Sequence, residues 1–129
     1  MARRHDEGYT LTEILVAVAA VMILTSVALP QYNRAIELQH WRTAQDVLRT
    51  IYSGERAYFL LNNAYRDSDG NPGPGTWRDI YTDNPNLSGN PVVYSTATGP
   101  FTATATYNGT KAMSISETGA INFGSWPQP

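Results

Sequence analysis

Glu13 stands at the head of Ile14–Leu29, a stretch without a charge that only Thr25 and Ser26 interrupt. A carboxylate carried deep into lipid costs on the order of 3 kcal/mol and needs a partner. One partner is local: Thr10-Leu11-Thr12-Glu13 reads S/T-x-x-E, a capping box in which each side chain binds the other residue's backbone N–H. The other is a cation from outside the segment, and the residues alone leave both open. A second group, Asp67, Asp69 and Asn71, alternates oxygen-bearing side chains that could be offered to calcium. An EF-hand loop counted from Asp67 would place Pro72 at position six and Arg78 at position twelve, so that motif fails. A turn built from Asp, Asn and Gly also explains the run without an ion. Catalysis has little to work with: the chain has no cysteine and two histidines, His5 and His40, and no nucleophile–base pair is apparent. No enzyme is expected, and no cofactor beyond the calcium candidate. A formal net charge of −2 gives no reason to expect nucleic acid as a partner.

The elements that must position Glu13 follow from the apolar run. A helix over Tyr9–Leu29 would be about 31 Å long at 1.5 Å per residue, which matches the hydrocarbon thickness of a bilayer. Arg3 and Arg4 precede it and no Lys or Arg follows until Arg34, which keeps the amino end cytoplasmic. An ordinary signal peptide is the competing reading, because Ser26-Val27-Ala28 is a small-x-small cleavage site behind a hydrophobic stretch. The mature chain would then begin at Leu29. Removing the run and its flank leaves roughly ninety residues, enough for one modest core.

Gly8-Tyr9-Thr10-Leu11-Thr12-Glu13, the apolar run and Pro30 together resemble the processing motif of bacterial type IV prepilins and the related type II secretion pseudopilins. The resemblance covers about thirty residues and is far more specific than a lone short pattern. It implies a leader, 1–8, cut by a prepilin peptidase between Gly8 and Tyr9, N-methylation of Tyr9, and assembly through Glu13 and the helix that Pro30 interrupts. Tyr9 replaces the commoner phenylalanine, and Asp6 and Glu7 occupy leader positions that are often basic or neutral. The span also lacks the midway glycine of many relatives. Cleavage turns the amide nitrogen of Tyr9 into an α-ammonium, which is free to neutralise Glu13 of its own chain or of a neighbour.

Beyond Pro30 the spacing of Ala44, Val47, Leu48, Ile51, Tyr58 and Phe59 predicts that the helix bends, continues to Asn62 and carries an apolar stripe from Ala44 onward. Gly54 reads as a weak point within it. Residues 9–43 are thus expected to serve as transmembrane and assembly helix and stalk, and 44–129 as a globular head. Residues 66–90, rich in Gly, Pro, Asp and Asn, read as a loop. Four short strands follow within 91–123, alternating most clearly in Phe101–Tyr107 and Ala112–Ser116, with Asn108-Gly109 as a hairpin signal. The expected fold is α+β: a long bent amino-terminal helix packed by a small antiparallel meander of three or four strands, as in the pilin family. Known pilins usually close their carboxyl end with a disulfide; here Trp126 is expected to pin the tail instead. Asn86-Leu87-Ser88 and Asn108-Gly109-Thr110 match a glycosylation pattern but read as turn residues.

The function this implies is a structural subunit. It would reside in the bacterial inner membrane as a single-pass prepilin, then polymerise with copies of itself, through inner-membrane assembly machinery, into an extracellular pilus (fimbrium) of adhesion or motility. A periplasmic pseudopilus of protein secretion is the nearest alternative, although the tail Phe123-Gly124-Ser125-Trp126 lacks the tryptophan-glycine-asparagine element of the major pseudopilin. A secreted β-rich binding domain is the third.

Overall fold

The computed structural model describes residues 8–67, 75–86 and 88–129. A single helix, α1, runs from Leu11 to Asn62 and continues through Pro30. A five-residue helix, α2, covers Gly75–Asp79, and four strands follow: β1 Val92–Thr98, β2 Phe101–Tyr107, β3 Lys111–Ser116 and β4 Ile121–Asn122. The chain divides into a first unit that ends at Ile36 and a second, Glu37–Pro129.

In the second unit the strands form an antiparallel meander in the order β1-β2-β3-β4. Its register sets Tyr94 opposite Ala105 and Ala105 opposite Met113, with Thr96, Ala103 and Ile115 forming the next row. Because side chains alternate across a strand, these two rows share one face. That face is buried, and it meets the α1 stripe of Ala44, Leu48 and Ile51, spaced four and three apart, in one hydrophobic core. The small Ala103 and Ala105, both fully buried, fit the close approach of helix to sheet. The β2–β3 turn uses Asn108 and Gly109 at φ of 48° and 69°, the two positive values a tight hairpin of matching twist requires, and Thr110 N–H closes it on the Tyr107 carbonyl at 3.1 Å.

Two features depart from a reading of composition. Residues 66–90 are not wholly loop, because α2 and the turn after it drive Trp77 and Ile80 into the core. Gly54 is also more than a weak point: a Cβ at this position would lie 2.1 Å from the carbonyl oxygen of Ile80. The missing side chain is what lets the α2 turn reach α1. Gly54→Ala, which would stabilise an exposed helix by about 1 kcal/mol, is therefore expected to destabilise this head by about 1–3 kcal/mol through overpacking. Denaturant unfolding of the detergent-solubilised chain, followed by circular dichroism, measures the sign.

On their outer sides the backbones of both β1 and β3 find partners beyond the strand ladder. On β1, Tyr94 donates its N–H to Asn86 Oδ1 at 2.6 Å and accepts from Asn86 Nδ2 at 2.8 Å, while Val92 N–H reaches Asn90 Oδ1 at 3.1 Å. On β3, Ala112 donates to Ser125 Oγ at 2.9 Å and accepts from Trp126 N–H at 3.2 Å. The tail is thereby laid along the strand beyond the short β4. Trp126 is fully buried, stacks on Tyr107 with ring centroids 5.0 Å apart, and accepts Trp41 Nε1–H on its carbonyl at 3.1 Å. His40 stands against Tyr107 at 5.5 Å, and Lys111 pairs with Glu37, so the sheet-bearing unit takes in helix residues well before Ala44.

Candidate functional site

Thr10 is the N-cap of α1, and its carbonyl accepts the first helical bond, from Ile14 N–H at 3.2 Å. Both halves of the capping box are present: Glu13 N–H donates to Thr10 Oγ1 at 3.2 Å and Thr10 N–H donates to Glu13 Oε2 at 3.0 Å. Thr10 Oγ1–H also reaches Glu13 Oε2, at 3.1 Å. Both bonds that the carboxylate accepts fall on Oε2, and Glu13 Oε1 has no partner among the described residues. Gly8 and Tyr9 lie immediately before the cap, in no regular element, and both are exposed.

Along the helix beyond the cap, Leu11, Leu15, Val16, Met22 and Leu24 are between 61% and 77% exposed. Thr25 and Ser26 return their hydroxyls to the carbonyls of Val21 and Ile23, both at 2.7 Å, and so present no free donor. Among the described residues α1 is one helix long and apolar enough to cross a membrane, and none of its most apolar window is buried within the chain. A face of this kind is stable only against lipid or protein.

The candidate calcium residues divide. Asp69 and Asn71 lie outside the described residues, and Asp67 is exposed at the end of the segment that follows α1. Among the described residues no three His, Asp or Glu stand close enough to hold a metal ion.

Beside Asp67 lies a carboxylate that its neighbours in sequence do not announce. Glu55 occupies the fourth place on the buried stripe after Ala44, Leu48 and Ile51, and is itself fully buried. Its Oε2 accepts Arg66 N–H at 2.9 Å and its Oε1 has no partner among the described residues. Burial pushes the Glu55 carboxyl above its ordinary 4.5, the Arg66 N–H and guanidinium pull it partly back, and the charge of Asp67 raises it again. The heptad-like stripe is the signal that could have found it, since an acid at a core-facing position must bind something. A raised pKa means that the folded chain holds this proton more tightly than the unfolded one, so stability is fully present below pH 4.5 and falls as pH rises through the folded value. Glu55→Gln keeps an acceptor for Arg66 N–H without the charge. It is expected to flatten that fall and to melt higher than the parent at neutral pH; parallel thermal melts on either side of pH 4.5 test this.

No protein-family model, curated protein or solved structure matches the chain, so its function is read from the residues themselves.

Proposed function

We propose that the chain is a type IV pilin-like structural subunit, cut by a prepilin peptidase between Gly8 and Tyr9, methylated on Tyr9 and polymerised through α1 into an extracellular filament. The observation that carries this reading is the capped, unburied apolar helix placed directly after the cleavage motif. In the membrane the apolar run faces lipid; in a filament it packs against the same run of its neighbours. The prepilin peptidase and an inner-membrane assembly apparatus are the partners this requires.

The split use of Glu13 supports a specific role for the carboxylate. Oε2 holds the helix cap while Oε1 remains open to the ammonium that cleavage creates at Tyr9. A single side chain can thus cap its own helix and neutralise a neighbour's terminus in a low-dielectric bundle, where an unpaired charge is heavily penalised.

Intact-mass measurement on material sheared from cells tests the reading. The expected species begins at Tyr9, carries one methyl group and sediments as a polymer; a soluble monomer beginning at Leu29 would overturn it. Glu13→Gln separates the two duties of the carboxylate, since glutamine still caps. With the charge removed and the cap kept, this variant is expected to be processed normally yet to yield about a hundredfold less filament. Wild-type yield would refute the charge role.

A further inference from the structure

Two features of the second unit lie outside its buried core. The first is Tyr81. It follows α2 at φ 58°, with its N–H on the Arg78 carbonyl at 3.0 Å and Thr82 N–H on the Trp77 carbonyl at 3.1 Å. This pair of bonds is a Schellman stop, whose left-handed position normally belongs to glycine or asparagine. A bulky residue there is strained, and such strain persists where the side chain has a use. The Tyr81 ring is not in the core; it is 67% exposed. With Asp83, Thr50, Val47 and Pro85 it walls an open groove of about 360 Å³.

The second feature is a row of arginines. Arg42, Arg49 and Arg56 are seven residues apart on the exposed face of α1, opposite its buried stripe. Arg49 stands 3.7 Å from Asp46. Arg42 has no ion pair among the described residues.

We propose that Arg42 of one copy enters the groove of the next, its guanidinium stacked on the Tyr81 ring and hydrogen-bonded to the Asp83 carboxylate. This rests on the self-assembly reading and names a contact between heads within it. An aromatic face beside a carboxylate is the surroundings a planar guanidinium prefers, and a sugar phosphate or other anion would be repelled by Asp83. Charge complementarity within the chain favours a second copy as the source, since each copy carries both the arginine without an ion pair among the described residues and the groove with Asp83. Arg42 and the groove residues Val47, Thr50 and Ile51 leave the helix roughly a third of a turn apart and about 8–13 Å apart along its axis. Complementary patches set apart in azimuth and height on one chain are suited to repeat as an open, head-to-tail series.

The native chain has no cysteine, so the contact is testable by disulfide trapping. Full-length Arg42→Cys and Asp83→Cys chains are co-expressed and oxidised in sheared assemblies. A dimer that forms only when both chains are present supports the contact. Charge exchange gives a second measure: Asp83→Arg is expected to lower pelletable assembly about tenfold, and adding Arg42→Asp in the same chain should restore it. Both positions are exposed, and circular dichroism melts of the variants verify the fold. Assemblies that pellet normally but yield no mixed dimer overturn this contact and leave the assembly reading intact. A wild-type chain that never pellets overturns the assembly reading itself. If Arg42→Asp loses binding to heparin while assembly is unchanged, the arginine serves a polyanion and the proposal fails.

Discussion

Trp126→Ala is expected to destabilise the head by about 3–5 kcal/mol, the usual range for deleting a buried aromatic ring. A small domain has about 5–15 kcal/mol in all, so the variant should accumulate poorly. Three losses coincide. The indole is fully buried and stacked on Tyr107; the residue's carbonyl accepts from Trp41; and its N–H helps to close the outer side of β3. The backbone bonds survive the substitution in principle, but the ring is what holds the six-residue tail in place to make them. Trp126→Phe separates these effects. The indole N–H has no partner among the described residues, so phenylalanine removes no hydrogen bond and should retain most of the stability. Chemical unfolding followed by far-ultraviolet circular dichroism measures both. A phenylalanine variant as weak as the alanine one would mean that indole shape, not aromatic packing, secures the tail.

Asn86→Ala should rank second, at about 2–4 kcal/mol. The amide of Asn86 acts as a one-residue strand: its oxygen takes the N–H and its nitrogen serves the carbonyl of Tyr94, a residue only 1% exposed. Alanine leaves both groups of a buried backbone unpaired at the margin of the sheet. Asn86→Asp keeps the acceptor but turns a carboxylate oxygen toward the Tyr94 carbonyl, and is expected to be no better. The second consequence is intermolecular. Once uncovered, β1 is an edge strand open to pairing with another chain, so detergent-solubilised Asn86→Ala protein should gain thioflavin-positive aggregates as it loses stability. Destabilisation without aggregation would show that Asn90 and the surrounding loop guard the edge unaided.

The contrast between these residues shows what can be read from a one-dimensional string. The capping box at Thr10 and Glu13 lies within four residues, so residue types and spacing were enough, and both bonds occur as expected. The alternation in Phe101–Tyr107 and the Asn108-Gly109 turn are equally local, and the meander follows from them. Glu55 and Asn86 are different. Each is a polar residue whose partner, Arg66 or Tyr94, comes from a later element, and nothing nearby in sequence announces the pairing. Gly54 is harder still, because the atom that demands glycine belongs to Ile80, brought there by a helix hidden in a Gly/Pro-rich segment. Trp126 lies between: a large aromatic in a short polar tail invites burial, but Tyr107 and Trp41 as its companions depend on the finished packing.

Lys111 is the only lysine in the chain, and its ammonium is held against Glu37. Aldehyde fixatives and imidoesters join proteins through primary amines, so each copy offers them one anchored nitrogen besides its terminus. Glutaraldehyde would therefore crosslink this chain poorly, whereas carbodiimide activation of its more numerous carboxylates supplies many more points of attachment.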